Sequence, residues 1–197
     1  MAGRHPHDEL GRVLPHPWWP ADRQAPDELE FVRRFCNSTN RENGAERFAS
    51  AEGLDRWLLS EGAEPVSASV SEINRLVRVR EALHDLVVAN ATGDDDSSAW
   101  DAFTEATRHV SFHLERHAQS VHLTPSGSAL DRLIGRIAAA VVDATHTETF
   151  TRLKACRHCH WVVFDPSKNR SSRWCSMAAC GGRHNARQYR QRNRSAR

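Results

Sequence analysis

Four cysteines in two close pairs constrain this sequence more than any other feature. Two residues separate Cys156 from Cys159, four separate Cys175 from Cys180, and fifteen lie between the pairs. Two thiolates three residues apart can turn toward one ion, and zinc prefers four soft ligands at the corners of a tetrahedron. The pattern therefore predicts one zinc ion bound by all four thiolates, in a segment too short to bury much core.

The predicted zinc site is structural rather than catalytic, because four protein ligands leave no coordination position for water. Three nearby histidines are less favoured alternatives to a cysteine ligand: His158, His160 and His184. The fifth cysteine, Cys36, falls among apolar residues at helical spacing, so we interpret it as a small buried hydrophobe. An odd number of cysteines also fits metal binding better than a disulfide framework.

The first residues of the chain lack the apolar core of a signal peptide. No run approaches the roughly 18 apolar residues of a transmembrane helix. We therefore expect a cytoplasmic protein with reduced cysteines and no membrane partner. Residues 1–26 hold five prolines without a sustained period, which predicts an irregular N-terminal arm.

The charge of the chain is divided between two parts. Residues 150–197 hold twelve Arg and Lys residues and one acid, which gives +11, out of totals of 27 basic and 25 acidic residues. The other 149 residues therefore hold fifteen basic and twenty-four acidic residues, which gives −9. Such opposed charges indicate two units, of which the basic one faces nucleic acid or another polyanion.

The end of the basic segment has the spacing of a helix that begins near Arg183. Ala186 and Tyr189 lie on a face able to pack, beside a stripe of arginines. Guanidinium groups bind phosphate oxygens bidentately, and an α-helix fits the major groove of DNA. We predict DNA contacts from four helix arginines and two in the preceding loop: Arg183, Arg187, Arg190, Arg194, Arg170 and Arg173. A solvated basic tail and another acidic partner are the alternatives.

Helical periodicity dominates residues 27–149. Apolar residues recur at helical spacing in residues 27–37, between Ser50 and Gly62, and in residues 67–91, 98–108 and 128–149. Ser50 is a predicted helix cap, and Ser69 with Glu72 has the pattern of a capping box. On the third of these helices we expect Val70 to face inward and three arginines to face solvent: Arg75, Arg78 and Arg80.

Residues 109–124 change to an alternating period, which predicts a β-hairpin. Phe112 and Leu114 alternate with polar residues before the predicted turn, and Val121 and Leu123 alternate after it. Five histidines near it lack a shared spacing, so we interpret them as exposed residues rather than metal ligands: His109, His113, His117, His122 and His146. The fold is therefore mainly α: a helical N-terminal domain with a short β-hairpin, then a small four-cysteine zinc finger ending in a basic helix.

The cysteine segment carries a distinctive run, Arg173-Trp-Cys-Ser-Met177, together with Arg152, Trp161 and Asp165 at fixed distances from the cysteines. This pattern resembles the CGNR zinc-finger family. The sequence departs from the family at Gly182, where the signature has asparagine, and two residues after Arg183, at Asn185, where lysine is usual. Since neither position is a ligand, the resemblance implies that zinc binding is retained.

The upstream part resembles the α-rich ABATE domain that precedes the finger in that family. The stretch from Phe35 to Ser38 resembles the Phe-x-Asn-Thr start of that domain, and the stretch from Leu54 to Leu58 resembles its next helix. The resemblance implies a stress-induced transcription regulator. A small-molecule effector site at Asn37 and Ser38, and a homodimer, are further hypotheses.

We divide the chain into the arm, residues 1–26, an ABATE-like domain, residues 27–150, and the finger, residues 151–197. The best interpretation is a zinc-containing, DNA-binding transcriptional regulator without enzymatic activity, because no nucleophile motif or open metal site stands out. The alternative is a small-molecule sensor or protein-interaction module whose finger is purely structural. RNA binding is less favoured, because three aromatic residues of the finger are expected to be packed: Trp161, Trp174 and Tyr189.

Overall fold

The computed structural model describes residues 23–195, apart from the side chains of His117 and Ser195. The arm predicted for residues 1–26 lies outside this range, except for its last four residues. The described residues form six α-helices and three two-stranded antiparallel sheets. No helix within residues 23–195 is long and apolar enough to cross a membrane.

Five helices build the N-terminal part, and local capping explains where several of them begin. The helices are α1 (Asp27–Cys36), α2 (Ala51–Ser60), α3 (Val70–Thr92), α4 (Ser97–Thr107) and α5 (Ala129–His146). The Ser50 side chain accepts a hydrogen bond from the Gly53 amide, and Ser69 and Glu72 form the predicted capping box. These bonds satisfy amides that have no partner within the helix, so the polar caps define the helix starts.

Three short hairpins connect or follow these helices, and α6 (Gly182–Ser195) ends the described chain. The paired strands are β1 (Thr39–Asn40) with β2 (Ala45–Glu46), β3 (Ser111–His117) with β4 (Ser120–Ser126), and β5 (Leu153–Ala155) with β6 (Val162–Phe164). The hairpin predicted in residues 109–124 is confirmed as β3–β4, and Ala118 in its turn has a φ of 51°. The mainly α fold class is therefore confirmed.

One hydrophobic core joins the helices to the cysteine segment. Its aromatic part lies between α1 and α2, where the Trp57 ring centroid is 5.2 Å from that of Phe48 and 6.0 Å from that of Phe35. Leu153 on β5 and Val162 on β6 are fully buried in the same core. The β5–β6 hairpin is therefore built into the helical domain rather than attached to it by a free linker.

Two residues of α3 lie opposite to their predicted positions. Arg80, expected in solvent, is 2% exposed and donates to both carboxylate oxygens of Glu46 at 2.7 Å and to the Ser38 hydroxyl at 3.1 Å. Val70, expected in the core, is 76% exposed because it is the first residue of the helix. Arg80 also donates to the adjacent Glu81 at 2.9 Å, but Glu46 and Ser38 are distant in sequence, so helical spacing alone could not place this arginine.

Replacement of Arg80 by methionine is expected to lower the free energy of unfolding by about 3 kcal/mol, because it leaves the carboxylate of Glu46 without its bidentate partner. Urea denaturation followed by circular dichroism measures this change. Arg78→Met, an exposed position two residues away on α3, is the matched control and should stay within about 0.5 kcal/mol of the wild type. Equal effects of the two substitutions would contradict a structural role for Arg80.

Candidate metal centre and nucleic-acid interface

The β5–β6 hairpin positions the first two cysteines. Cys156 directly follows β5, and its amide donates to the carbonyl of Trp161 across the hairpin at 2.9 Å. His160 has a φ of 60° and donates its amide to the Cys156 carbonyl at 2.9 Å, which closes a tight turn. This turn brings Cys156 and Cys159 to the same side of the backbone, with both side chains buried.

The second pair flanks the start of α6. Cys175 precedes, and Cys180 lies within, a π-helical turn that spans Met177–Gly181 and leads directly into α6. The Ser176 hydroxyl caps this turn by accepting a hydrogen bond from the Ala179 amide. The second cysteine pair is therefore joined rigidly to the beginning of the basic helix.

The four sulfur atoms have the spacing that a tetrahedral zinc site requires. All four lie within 4.8 Å of one another, with the Cys159 and Cys175 sulfurs 3.7 Å apart and the Cys175 and Cys180 sulfurs 3.5 Å apart. Ligands at the usual Zn–S distance of about 2.3 Å lie about 3.8 Å from each other at the corners of a tetrahedron. The donor set fits one structural zinc ion, held by four ligands: Cys156, Cys159, Cys175 and Cys180.

The closeness of the four sulfur atoms also favours a bound cation. All four cysteine side chains are buried, and burial disfavours the charged thiolate form. Four neighbouring thiolates repel one another, and a divalent cation supplies the positive charge that offsets the repulsion. Cys36 lies apart in the core, where burial raises the pKa of its thiol to about 12 and leaves it unreactive.

Two of the three histidines considered as alternative ligands make other contacts, and the third, His158, is exposed. The His184 ring stacks on Trp174 with centroids 4.7 Å apart, and the His160 ring lies 6.0 Å from that of His84. Among the described residues, the metal-binding group found here contains cysteines alone. The sulfur cluster thus needs no histidine to complete it.

Asp165 organises the loop between the two cysteine pairs, a role that the sequence analysis missed. Its carboxylate is fully buried and accepts hydrogen bonds from the Lys154 ammonium at 3.2 Å, the Ser172 amide at 2.8 Å and the Ser167 amide at 3.0 Å. Although burial opposes the charge, hydrogen bonds from Ser167 and Ser172 hold the pKa of Asp165 well below its usual range. The signal in the sequence was that Asp165 is the one acid among twelve basic residues after position 149.

The arginines predicted to contact DNA have two different environments. Arg187, Arg190 and Arg194 are exposed along α6, as is Arg173 in the loop. Arg183 is half-buried and donates to the Glu42 carboxylate at 2.5 Å, a contact that raises its pKa. The Arg170 guanidinium lies 3.6 Å from the Glu148 carboxylate and donates to the Thr151 hydroxyl at 3.1 Å.

Most of the α6 helix is exposed rather than packed against the finger. Tyr189, expected to pack, is 62% exposed, and Ala186 is exposed as well. Trp161 is buried beside the cysteines, as predicted, and Trp174 packs against the same cluster. The prediction for Tyr189 was wrong because only the first turn of α6 reaches a packed neighbour.

Asn37 and Ser38, proposed as effector ligands, use their side chains within the chain. The Asn37 amide donates to the Val162 carbonyl and accepts from the Val162 amide, both at 2.8 Å. The Ser38 hydroxyl accepts from Arg80. These contacts place Asn37 at the junction where α1 meets the finger strand β6.

Comparison with known families agrees with this architecture. Residues 29–148 match the ABATE model, described as "Putative stress-induced transcription regulator". The chain belongs to the ABATE family. Residues 152–193 match the CGNR zinc finger, which confirms the resemblance of the cysteine segment. No curated protein matches the chain.

The ABATE part and the CGNR finger are bonded to each other as well as packed. The Asn90 amide on α3 donates to the carbonyls of Phe150 and Leu153 at 3.1 Å, and Arg157 donates to the Ala91 carbonyl at 2.8 Å. Together with the two bonds of Asn37, these contacts tie the finger to α1 and α3. The metal centre therefore has a fixed position on the helical domain.

Cys175→Ser is expected to lose the bound metal, because a serine hydroxyl is a poor zinc ligand. The wild-type protein should purify with about one zinc ion per chain, and the variant with far less. Elemental analysis after gel filtration measures the content. Cys36→Ala is the control and should retain its zinc, since Cys36 lies outside the cluster; equal zinc loss in both variants would contradict the assignment.

Asp165→Asn is expected to lower the free energy of unfolding by about 3 kcal/mol, because it leaves the Lys154 ammonium buried without a counter-charge. The folded-state pKa of Asp165 is depressed, so its contribution is fully present above the unfolded pKa of about 3.9 and is lost only as the pH falls further. The difference from the wild type should therefore be constant between about pH 5 and about pH 8.

Urea denaturation of the zinc-loaded proteins measures this difference. Asp101→Asn, at an exposed position on α4, is the matched control and should change stability by less than about 0.5 kcal/mol. A difference that shrinks steadily from pH 8 to pH 5 would show that Asp165 titrates in this range, contrary to the prediction.

Proposed function

We propose that this protein is a zinc-containing, DNA-binding transcriptional regulator without catalytic activity. The observation that carries the proposal is the exposed α6 helix, which holds arginines and no acidic residue, and which starts at the buried cysteine cluster. The ABATE family description supports a regulatory role. The closed set of four thiolates supports a structural rather than a catalytic metal.

The exposure of α6 supports a macromolecular partner. A helix that is polar all round and lacks a packed face gains little stability from its own chain. Positions 185–194 are all exposed, so an arginine on any side of the helix can reach phosphate without moving another element. A DNA duplex supplies the dense negative charge that such a helix needs, and its major groove has the matching width.

In the proposed mode, Arg187, Arg190 and Arg194 contact the DNA backbone along one stripe of α6, and Arg173 contributes from the loop. Arg183 and Arg170 are also among the predicted contacts, but each has a carboxylate neighbour within the chain, Glu42 and Glu148 respectively. DNA phosphates would have to compete with these carboxylates. We therefore expect the three exposed helix arginines to contribute more to DNA affinity than Arg183 and Arg170.

Binding to duplex DNA is expected to weaken about a thousandfold between about 50 mM and about 200 mM salt if about six phosphates are contacted. Arg187→Ala should reduce affinity about tenfold and lower the slope of log affinity against log salt by about one. Arg192→Ala removes the same charge from the opposite side of α6 and is the matched control. It should reduce the affinity for the selected DNA site less than Arg187→Ala does. In vitro selection followed by fluorescence anisotropy provides the site and the measurements.

The alternative function is a sensor or protein-interaction module in which the finger only supports the helical domain. The observation in its favour is the shared core, with the bonds from Asn37 and Asn90 that hold the finger in place. This alternative predicts that no duplex is selected, and that Arg187→Ala leaves the regulatory function intact. Absence of salt-dependent binding to any duplex would reject the DNA-binding proposal.

A further inference from the structure

The β3–β4 hairpin exposes an apolar face that α5 covers only at the Pro125 end, where Pro125 packs against Gly135. Four apolar side chains on this face are between 37% and 71% exposed: Phe112, Leu114, Val121 and Leu123. The hairpin pairs with no other strand in the part of the chain described. A two-stranded ribbon is marginally stable alone, and exposed apolar groups of this size commonly mark an interaction surface.

The register shows which backbone groups face outward. Phe112 lies opposite Pro125, and a proline in a ladder occupies a position that makes no hydrogen bond to its partner strand. Because bonded and non-bonded pairs alternate, Leu114 opposite Leu123 and Arg116 opposite Val121 are also non-bonded pairs. The amides and carbonyls of Phe112, Leu114 and Arg116 therefore point to the open edge of β3.

The two edges of the hairpin differ in their capacity to accept another strand. Pro125 interrupts the outer edge of β4, because it has no amide to donate. Strand β3, from Ser111 to His117, contains neither proline nor lysine, the residues that most often protect an edge. The outer edge of β3, which we call the β3 edge, is therefore the open one.

We infer that the β3 edge pairs antiparallel with the β3 edge of a second copy of this chain, about a two-fold axis at Leu114. This register pairs all three outward-facing residues, since Leu114 meets Leu114 of the other copy and Phe112 meets Arg116. Each of these pairs can exchange two backbone hydrogen bonds. Registers centred on His113 or Glu115 would pair only two of the three outward-facing residues within β3, and would set two His113 side chains or two Glu115 side chains against each other.

The side chains are self-complementary in this register. On the polar face, His113 of each copy lies opposite Glu115 of the other, so two imidazole–carboxylate contacts form per dimer. On the apolar face, the two Leu114 side chains meet, and each Arg116 lies beside a Phe112 ring in the geometry of a cation–π contact. Strand β3 is complementary to a second β3 strand on both its polar and its apolar face. The expected partner is therefore a second copy of this chain rather than an unrelated protein.

The first test measures the oligomeric state of the full-length, zinc-loaded chain by analytical ultracentrifugation across a range of concentrations. The wild type is expected to form a dimer. Leu114→Lys should shift the dimer dissociation constant upward at least a hundredfold, because lysine at the centre of an edge strand opposes pairing. Gln119→Lys, which adds the same charge in the exposed turn of the same hairpin, is the matched control and should remain dimeric.

A charge exchange tests the register itself. His113→Glu sets two carboxylates against each other at both ends of the axis, and Glu115→Lys sets two basic groups against each other, so each should weaken the dimer about tenfold. When the two single variants are mixed, each mismatch is replaced by an attractive pair, and a heterodimer should form. The same substitutions combined in one chain should restore the homodimer.

Circular dichroism and zinc content confirm that each variant is folded before it is compared. A wild-type chain that stays monomeric at all concentrations would overturn the inference. A dimer that Leu114→Lys leaves intact would also overturn it. Loss of the dimer in Leu114→Lys without any effect of the charge variants would show that copies meet through the apolar face, and would reject the β3 edge register.

Discussion

The convergence of four thiolates on one point is the constraint on which the rest of the finger depends. The segment after position 150 contains few large apolar residues beyond β5, β6 and the two tryptophans, so packing alone would not hold it. A structural zinc ion typically contributes about 10–16 kcal/mol of apparent binding free energy, which adds directly to folding. The four thiolates also leave a net negative charge at the start of α6, where the helix dipole is positive and favours it.

The metal centre gains its position from the helical domain as well as from zinc. Asn37 satisfies both backbone groups of Val162, and Asn90 satisfies two carbonyls at the start of the cysteine segment. Buried backbone groups left without such partners would cost about 1–3 kcal/mol each, so the helical domain and the finger stabilise each other. Glu42, between β1 and β2, extends this connection to Arg183 on α6.

This connection gives a physical route by which the helical domain can influence α6. The Arg80 guanidinium joins α3 to Glu46 on β2, and Glu42 lies in the turn that precedes β2. A change in the packing of α3 would therefore reach Arg183 through two ion pairs and one short hairpin. Such a chain of contacts is a spatial connection, and coupling along it requires that the hairpin have two alternative arrangements.

The sequence predicted those features that depend on local spacing, and it failed where the partner is distant. Cysteine spacing identified the metal ligands, the capping pattern of Ser69 and Glu72 placed the start of α3, and alternation located the β3–β4 hairpin. Arg80 could not be placed, because its partner Glu46 lies thirty-four residues earlier. The packing of β6 into the helical domain could not be predicted either. Its three apolar residues are consecutive, so they show no periodicity that would distinguish burial in the core of the helical domain from burial in a separate core of the finger.

The two glycines after Cys180 bear on the departure from the CGNR signature. A β-carbon on Gly181 would lie 2.7 Å from the Met177 sulfur and 3.1 Å from a ring carbon of Trp174, so the close packing favours glycine there. At Gly182 the nearest atom would be the Met177 carbonyl oxygen at 3.4 Å, and φ is −62°, so the asparagine of the signature would fit. The backbone therefore does not require glycine at position 182, and nothing in the structure explains the departure from the signature there.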